Sequence, residues 1–272
     1  MNYSAPMTTS ETEHNKRIRE QFTKQAIPFT QLKGHLDSVD LLKNLSEVTS
    51  DDTVLDVACG PGLVACEFAR IARHVTGIDL TEKMIEAAHG RQAAESLSNM
   101  DWLVGSASAL PFEDGAFSVV ISRYTFHHFT SPLSVLTEMI RVCRPNGLVL
   151  IADPVLPSQF VDAYNEMERL RDPSHTRALS IEEFDSIMAS SGLVDIQRSG
   201  YEVDMELEQQ LAASFPNPGD DEKLRGIFRE DLTSNRLGTK TRLVDEEIHF
   251  TYPISVYVGR KSAEQDGAGQ RR

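Results

Sequence analysis

The sequence predicts an α/β protein with a Rossmann-like, doubly wound sheet. Short runs of branched apolar residues recur along the chain, and such runs suit strands that are buried on both faces. Segments in which apolar residues fall at helical spacing lie between these runs. Because strand, helix and strand follow one another repeatedly, we expect right-handed crossovers and a mainly parallel sheet with helices on both faces.

Seven segments are predicted to be strands. They are residues 53–57, 75–78, 101–104, 119–122, 148–152, 194–199 and 254–260. The helices predicted between them are residues 63–72, 81–97, 132–143, a helix that ends at Leu170, and 180–191. Ser180 and Glu183 form a capping-box pattern at the start of the last helix, and Gly192 is a typical stop.

The composition narrows the classes of partner. Of 272 residues, 40% are hydrophobic and 25% are charged, which is the balance of a globular protein. The 41 acidic side chains outnumber the 27 basic ones and leave a net charge of −14. Because this charge repels nucleic acids and anionic membrane surfaces, we expect no nucleic-acid partner.

The cysteines and the apolar segments predict a compartment. The three cysteines are an odd number without a C-x-x-C pair, which disfavours a disulfide framework and a cysteine zinc site, so no metal site is predicted. The N-terminal segment lacks the apolar core of a signal peptide, and no apolar run approaches the ~20 residues of a membrane span. These features predict a cytoplasmic protein without a membrane span.

A glycine loop follows the first predicted strand. Gly60 and Gly62 allow a tight turn and let a ligand approach bare backbone amides at the start of a helix. Asp79 ends the next strand about twenty residues after the loop, where a carboxylate can accept hydrogen bonds from ribose hydroxyls. Together these features predict a cofactor that contains adenosine.

Two classes of cofactor fit this loop. The pattern Gly60-x-Gly62-x-x-Ala65 also satisfies the dinucleotide fingerprint, which would indicate a nicotinamide-dependent oxidoreductase. However, Asp56 at the edge of the loop would repel a pyrophosphate, whereas it would attract the ammonium group of S-adenosylmethionine. Asp56 therefore favours S-adenosylmethionine.

In these motifs the chain resembles the class I S-adenosylmethionine-dependent methyltransferases, and more narrowly their ubiquinone and menaquinone methyltransferase-like branch. The resemblance covers roughly residues 54–153 in the family's order and spacing. It is carried by the loop segment 55–62, Gly77-Ile78-Asp79, Gly105-Ser106-Ala107, and residues 110–114, 117–120 and 144–148. It implies a seven-stranded methyltransferase sheet whose last strand runs antiparallel.

The resemblance also implies a role for each residue of the cofactor site. The methionine end of the cofactor would be lined by Asp56, Ala58, Gly60, Gly62 and Arg123. Asp79 would bind the ribose, and Leu80 and Met84 would flank the adenosine. Ser106 and Ala107 would contact the adenine. Family members often have an acidic residue at position 106 and Asp at position 118. Serine at both positions predicts altered adenine contacts, since a hydroxyl can still accept a hydrogen bond.

Four parts of the chain are predicted. Residues 1–45 would form an N-terminal helical cap with helices at 15–26 and 36–45, and residues 46–153 the cofactor-binding core. Residues 154–261 would complete the sheet and carry a helical insertion at about 201–252 on the acceptor side, before a disordered tail at 262–272. Phe215 and Phe228 make this insertion a candidate lid, although a dimer interface or a packed addition fits equally.

The predicted function is methyl transfer to a small organic acceptor. Methyl transfer from a sulfonium needs alignment and exclusion of water more than a protein nucleophile. His128 and Asp153 follow strands at the expected site and are candidate catalytic groups, but structural roles for both remain open. Besides the oxidoreductase, a non-methylating protein that binds S-adenosylmethionine as a structural or regulatory ligand is an alternative, and the acceptor atom and oligomeric state stay open.

Overall fold

The fold is seen in a computed structural model, which describes residues 9–26 and 38–263. The strands in these residues are β1 (Thr53–Val57), β2 (His74–Asp79), β3 (Met100–Val104), β4 (Phe117–Arg123), β5 (Cys143–Leu156), β6 (Leu179–Ser180), β7 (Leu193–Glu206), β8 (Arg242–Val244) and β9 (Glu247–Lys261). The helices are α1 (Thr9–Gln25), α2 (Val39–Leu45), α3 (Leu63–Ala69), α4 (Glu82–Ala94), α5 (Pro132–Val142), α6 (Ser158–Arg171), α7 (Ile181–Ser190), α8 (Leu207–Ser214) and α9 (Asp220–Ser234). A short 3-10 helix covers Phe126–His128.

The main sheet has the strand order β3-β2-β1-β4-β5-β9-β7, with β6 beside β5 and β8 beside β9. The five strands from β3 to β5 pair in parallel. Strand β9 runs antiparallel to both β5 and β7. The predicted doubly wound, seven-stranded sheet with an antiparallel last strand is therefore confirmed, and the two short strands are additions to it.

Both faces of the central strands are buried. Along β5, Leu148 and Leu150 belong to one apolar cluster, whereas Val149 and Ile151 belong to a second. Successive side chains of a strand point to opposite faces, so each continuous apolar run contributes to two cores. This explains why the central strands are uninterrupted apolar runs instead of alternating patterns.

The last two strands are longer than predicted. β7 continues to Glu206 and β9 begins at Glu247, and their antiparallel pairing holds Glu206 opposite His249. Backbone hydrogen bonds to β9 stabilise this extension. Most of β7 is exposed at the edge of the sheet and shows no apolar pattern, so the sequence did not predict the extra length. The segment between the two strands is thus residues 207–246, which hold α8, α9 and β8.

The outer elements match the predicted ones in part. The capping box of Ser180 and Glu183 is present at the start of α7. Helix α1 begins at Thr9, earlier than predicted, and α2 begins at Val39. Residues 36–37 of the second predicted helix and residues 264–272 of the predicted tail lie outside the described residues. Within the described ranges, no helix is long and apolar enough to cross a membrane.

Gly77 of β2 lets Trp102 of β3 lie against the backbone. A Cβ atom at position 77 would overlap two ring carbons of Trp102 and approach the Sγ of Cys59 to 2.9 Å. The Trp102 indole is also held, because its N–H donates a hydrogen bond of 2.7 Å to Gln92. The ring therefore has little freedom to move away from a larger residue at position 77.

We expect Gly77→Ala to destabilise the protein by about 1–3 kcal/mol, the usual range for overpacking a filled core. The matched control is Gly90→Ala in α4, where an added Cβ meets nothing within 4 Å. It should stabilise the protein by about 0.5–1 kcal/mol, because alanine favours helix. Urea midpoints at constant slope measure both effects, and a shift of the same sign in the two variants would contradict this packing argument.

Candidate functional site

Two adjoining cavities lie at the carboxyl ends of the parallel strands. The first encloses about 1130 Å³, counting its solvent-open mouth, and the second about 600 Å³ on the same basis. Their linings share Phe22, Tyr124 and His128. The carboxyl edge is where ligands bind in sheets of this type.

The glycine loop forms one wall of the first cavity. Ala58 and Gly60 have positive φ angles of 57° and 53°, and a Cβ built on Gly60 would meet nothing within 4 Å. This open space beside Gly60 leaves the backbone accessible to a ligand. Gly62 also has a positive φ of 77°, but its Cβ would lie 2.7 Å from Trp102 and Gly62 does not line the cavity. Gly62 therefore shapes the loop from behind.

Asp79 ties the loop to the start of α4. Its Oδ2 accepts a hydrogen bond of 2.9 Å from the Gly60 N–H, and its Oδ1 accepts one of 2.8 Å from the Thr81 N–H. Carboxylate oxygens have further lone pairs, so Asp79 can also accept from a ligand's hydroxyls. Leu80 and Met84 line the cavity beside it.

Asp56 is a buried carboxyl with one oxygen unsatisfied. It is 2% exposed, and its Oδ2 has no hydrogen-bond partner among the described residues. The pKa of Asp56 is raised to about 7. Burial is the main cause and the negative charge of Asp79 adds to the rise, while a hydrogen bond from the Ala65 backbone and the positive charge of Arg123 oppose it. A ligand cation beside Asp56 would satisfy the oxygen and stabilise the carboxylate, which fits the ammonium of an amino acid.

The two serines singled out in the sequence lie in different places. Ser106 and its neighbour Ala107 line the first cavity. Ser118 lies at the start of β4, where its hydroxyl donates to the Thr53 carbonyl and accepts from the Thr53 N–H. Ser118 thus fastens β4 to β1 and has no contact with the cavity, so the expectation that it alters adenine contacts is wrong.

Arg123 lines the first cavity together with a tyrosine that the sequence did not identify. Its guanidinium donates to the hydroxyls of Tyr201 at 3.0 Å and Tyr124 at 2.8 Å, and it lies 4.2 Å from the centre of the Tyr124 ring. Tyr124 has a positive φ of 59°, which is uncommon for an aromatic residue. Tyr201 lies on the unpredicted extension of β7, so no local signal placed it here.

The two predicted catalytic residues occupy different environments. His128 lines both cavities, and its Nδ1 lies 3.1 Å from the Ser174 carbonyl. The pKa of His128 is lowered to about 3, mainly by burial and in addition by the charge of the neighbouring His127. Asp153 lines neither cavity. It is 2% exposed and accepts hydrogen bonds from the backbone N–H groups of Phe126 and His127 and from the His127 ring.

Most of the second cavity comes from the C-terminal half. Helix α6 contributes Tyr164, Glu168 and Arg171, which share one face at spacings of four and three residues. The Arg171 guanidinium lies 2.6 Å from the Glu168 carboxylate, and Glu168 is buried whereas Arg171 is partly buried. The other lining residues from this half are Pro154, Asp172, Val203, Met205, Gln210, Tyr252 and Ile254. The sequence signal for this wall is the helical spacing of Tyr164, Glu168 and Arg171, which places the three side chains on one face of α6.

Helix α1 covers the first cavity. His14, Asn15, Ile18 and Phe22 line it from above at helical spacing. The Gln21 side chain donates a hydrogen bond of 2.6 Å to the carbonyl of Ser214 at the end of α8. Helix α1 therefore connects the first cavity, which it covers, to the segment between β7 and β9.

That segment contributes little to the cavities themselves. Gln210 lines the second cavity, whereas Phe228 packs in the core with its ring centre 4.6 Å from that of Phe250. Phe215 is 39% exposed and lines neither cavity. Neither phenylalanine proposed for a lid therefore lines a cavity: Phe228 is packed in the core, whereas Phe215 is exposed.

Comparison with known proteins assigns the family. A family model described as a methyltransferase domain matches residues 55–151. The uncharacterized methyltransferase YcgJ of Bacillus subtilis is 31% identical over 183 residues, which are 65% of this chain and 72% of that protein. The ubiquinone/menaquinone biosynthesis C-methyltransferase UbiE of Roseobacter denitrificans is 30% identical over 152 residues, 55% of this chain and 56% of that protein.

Solved structures show the same fold. The crystal structure of the YcgJ protein superposes with a TM-score of 0.77 at 24% identity, covering 84% of this chain and 99% of that one. The phosphoethanolamine N-methyltransferase 2 of Haemonchus contortus, in complex with S-adenosylhomocysteine, has a TM-score of 0.59 at 18% identity, covering 83% and 52% of the two chains. Neither the oxidoreductase nor the non-methylating alternative is favoured by these matches. Because YcgJ is matched over most of its length and the family model covers the glycine loop, this chain belongs to the S-adenosylmethionine-dependent methyltransferases.

Proposed function

We propose that the first cavity holds S-adenosylmethionine and that the second holds a small organic acceptor, which the enzyme methylates. The observation that carries this proposal is that the two cavities adjoin at Phe22, Tyr124 and His128. Direct displacement requires donor and acceptor to be aligned in a water-poor space. Two adjoining cavities beneath a covering helix meet that requirement.

The residues of the first cavity fit the cofactor. Asp56 would hold the ammonium, Gly60 would leave room for the methionine end, Asp79 would accept from the ribose, and Leu80 and Met84 would flank the adenosine. When bound, the cofactor supplies an electrophilic methyl group on a positively charged sulfur. The protein's part is to orient the partners and exclude water.

The second cavity limits the acceptor. A cavity of about 600 Å³, counted with its solvent-open space, supports a small organic molecule as the acceptor. The absence of a nucleic-acid partner and the cytoplasmic location stay predictions from charge and cysteine content. The acceptor class is therefore to be sought among small organic metabolites.

Filling the second cavity should separate the two binding steps. Val203→Trp places a large ring in the cavity, so we expect it to abolish methyl transfer while the affinity for S-adenosylhomocysteine is unchanged. The readout is transfer of labelled methyl groups from S-adenosylmethionine to a fractionated small-molecule extract. Val194→Trp, at an exposed position of the same strand, is the matched control. Persisting transfer in a folded Val203→Trp protein would place the acceptor elsewhere.

Asp79→Ala should weaken binding of S-adenosylhomocysteine about ten- to a hundred-fold, because charge-assisted hydrogen bonds to the ribose are lost. Isothermal titration calorimetry measures this change. Asp51→Ala, at an exposed position before β1, should leave the affinity unchanged. Equal affinity of the wild type and a folded Asp79→Ala protein would remove Asp79 from the site.

Asp56 predicts a pH dependence of cofactor binding. Its raised pKa of about 7 means that the carboxyl is mainly protonated below that pH in the free protein. Binding an ammonium requires the carboxylate, so affinity for S-adenosylhomocysteine should rise as the pH increases through about 7, with release of a proton. Calorimetry in buffers of different ionisation enthalpy measures both quantities.

The Asp56→Asn variant provides the control for this pH dependence. It should lose the rise in affinity, and it should bind adenosine, which lacks the ammonium, with a smaller loss than S-adenosylhomocysteine. If the variant keeps the same pH dependence, or if both ligands lose affinity equally, Asp56 only organises the loop.

A further inference from the structure

We propose that His127 accepts the proton of the methyl acceptor, and that this acceptor is an uncharged molecule with an O–H or N–H group at its reacting atom. The proposal rests on the proposed function, since it takes the second cavity as the acceptor site. Four features of the cavity support it: the orientation of His127, the weaker basicity of His128, an unpaired amide oxygen and a neutralised arginine.

His127 is oriented by Asp153. Both carboxylate oxygens lie 3.1 Å from the His127 Nδ1, and the same carboxylate accepts from the backbone N–H groups of Phe126 and His127. A carboxylate in this position favours the tautomer with a proton on Nδ1, which leaves the lone pair on Nε2. His127 lines the second cavity, and no described residue forms a hydrogen bond with its Nε2.

The charges around His127 favour proton uptake. Burial lowers the pKa of His127, but the charge and hydrogen bond of Asp153 and the charge of Glu168 outweigh burial and the opposing charge of Arg171, so the net pKa is raised above 6.5. The rings of His128 and His175 also face it, with centres 4.2 and 5.4 Å away. Burial holds the pKa values of both well below 6.5, so both are neutral beside His127.

His128 is the poorer base, although it reaches both cavities. Its Nδ1 pairs with the Ser174 carbonyl and with no carboxylate. An imidazolium there would be buried beside His127 without a directly bonded counter-charge, which is consistent with its lowered pKa. A proton leaving the acceptor is therefore better stabilised on His127.

The polar groups of the cavity select an acceptor that donates hydrogen bonds. Gln210 is 6% exposed, and its Oε1 has no partner among the residues described, while its amide nitrogen donates to the Tyr252 hydroxyl at 3.3 Å. Together with the His127 Nε2, this oxygen offers the cavity a second free hydrogen-bond acceptor. A primary amine has two N–H donors and can satisfy both, whereas a hydroxyl has one O–H and donates to one of them.

The same cavity disfavours anions. Arg171 is the only arginine or lysine in its described lining, and its guanidinium is taken up by the Glu168 carboxylate at 2.6 Å and the Ser214 hydroxyl at 3.2 Å. The Asp172 carboxylate adds negative charge at the same wall. A carboxylate or phosphate acceptor would enter without a free cation to pair with.

The proton and electron balance is simple. The acceptor's oxygen or nitrogen bonds to the methyl group as its O–H or N–H bond breaks, and the proton moves to the His127 Nε2. The electron pair of the broken sulfur–carbon bond stays on the sulfur. Asp153 acts as a positioning residue that stabilises the resulting imidazolium, which then releases its proton to solvent.

The acceptor class is tested by 1-naphthol, 1-naphthylamine and 1-naphthoate, three probes that share the naphthalene ring, titrated into protein saturated with S-adenosylhomocysteine. We expect 1-naphthol and 1-naphthylamine to bind at least about tenfold more tightly than 1-naphthoate, because only they donate hydrogen bonds without carrying a charge. Either neutral probe should shift the ¹⁵N resonance of the His127 Nε2. Equal or tighter binding of 1-naphthoate would overturn the acceptor class.

The role of His127 is tested by its imidazole titration and by transfer of labelled methyl groups to the two neutral probes. In the wild type we expect an NMR pKa above 6.5 and a transfer rate that rises with pH through that value. Asp153→Asn should lower the pKa. His127→Asn should lower transfer about 10²- to 10⁴-fold and remove the pH dependence, and added imidazole should restore part of the rate.

His74→Asn is the matched control, because His74 pairs with Asp101 at 3.0 Å at the start of β2, the end of that strand opposite Asp79, and lines neither cavity. It should change neither transfer nor cofactor affinity. A His127→Asn protein with normal transfer, or a wild type that binds S-adenosylhomocysteine but methylates neither neutral probe, would overturn this inference and leave the cofactor site intact. Failure to bind S-adenosylhomocysteine would instead overturn the proposed function.

Discussion

The carboxylate of Asp153 holds the turn on which both cavities depend. From β5 it accepts hydrogen bonds from the backbone N–H groups of Phe126 and His127, and thereby fixes the 3-10 helix that follows β4. That turn carries His127 toward the second cavity and His128 toward the boundary of the two. A buried carboxylate needs such hydrogen-bond donors to be stable. The hydrogen bonds that stabilise Asp153 therefore also fix the positions of the two histidines.

A second constraint is electrostatic. Burial raises the pKa of Asp56, and the negative charge of the nearby Asp79 adds to the rise. The charge of Arg123, which is hydrogen-bonded to two tyrosines, offsets this rise only in part. The first cavity is thus short of positive charge, whereas Arg171 in the second is neutralised by Glu168. The proposed arrangement, a cationic cofactor in the first cavity and an uncharged acceptor in the second, complements these two environments.

How far the sequence could be interpreted depended on how local each feature is. The strand, glycine loop and acidic residue from Thr53 to Asp79 are consecutive, so their pattern was sufficient to predict the core of the fold and the cofactor. The second cavity combines Gln25, His127, Arg171, Gln210 and Tyr252, which are distant in sequence and meet only when β5, β7 and β9 pair. At Ser118 the resemblance to the family was misleading. It implied an adenine contact, but Ser118 lies at the start of β4, where its hydroxyl is bonded to Thr53 and not to the first cavity.

The same division between local and distant residues explains how such an enzyme can change acceptor without changing cofactor. The matched family domain ends at residue 151, before α6 and the long strands β7 and β9 supply the second cavity. Substitutions at Tyr164, Val203 or Gln210 would alter the shape and polarity of the second cavity, the proposed acceptor site, while the hydrogen bonds from Gly60 and Thr81 to Asp79 stay intact. The proposed acceptor therefore has to be inferred from the whole lining of the second cavity, which combines residues after Asp153 with Tyr124, His127 and His128 of the matched domain.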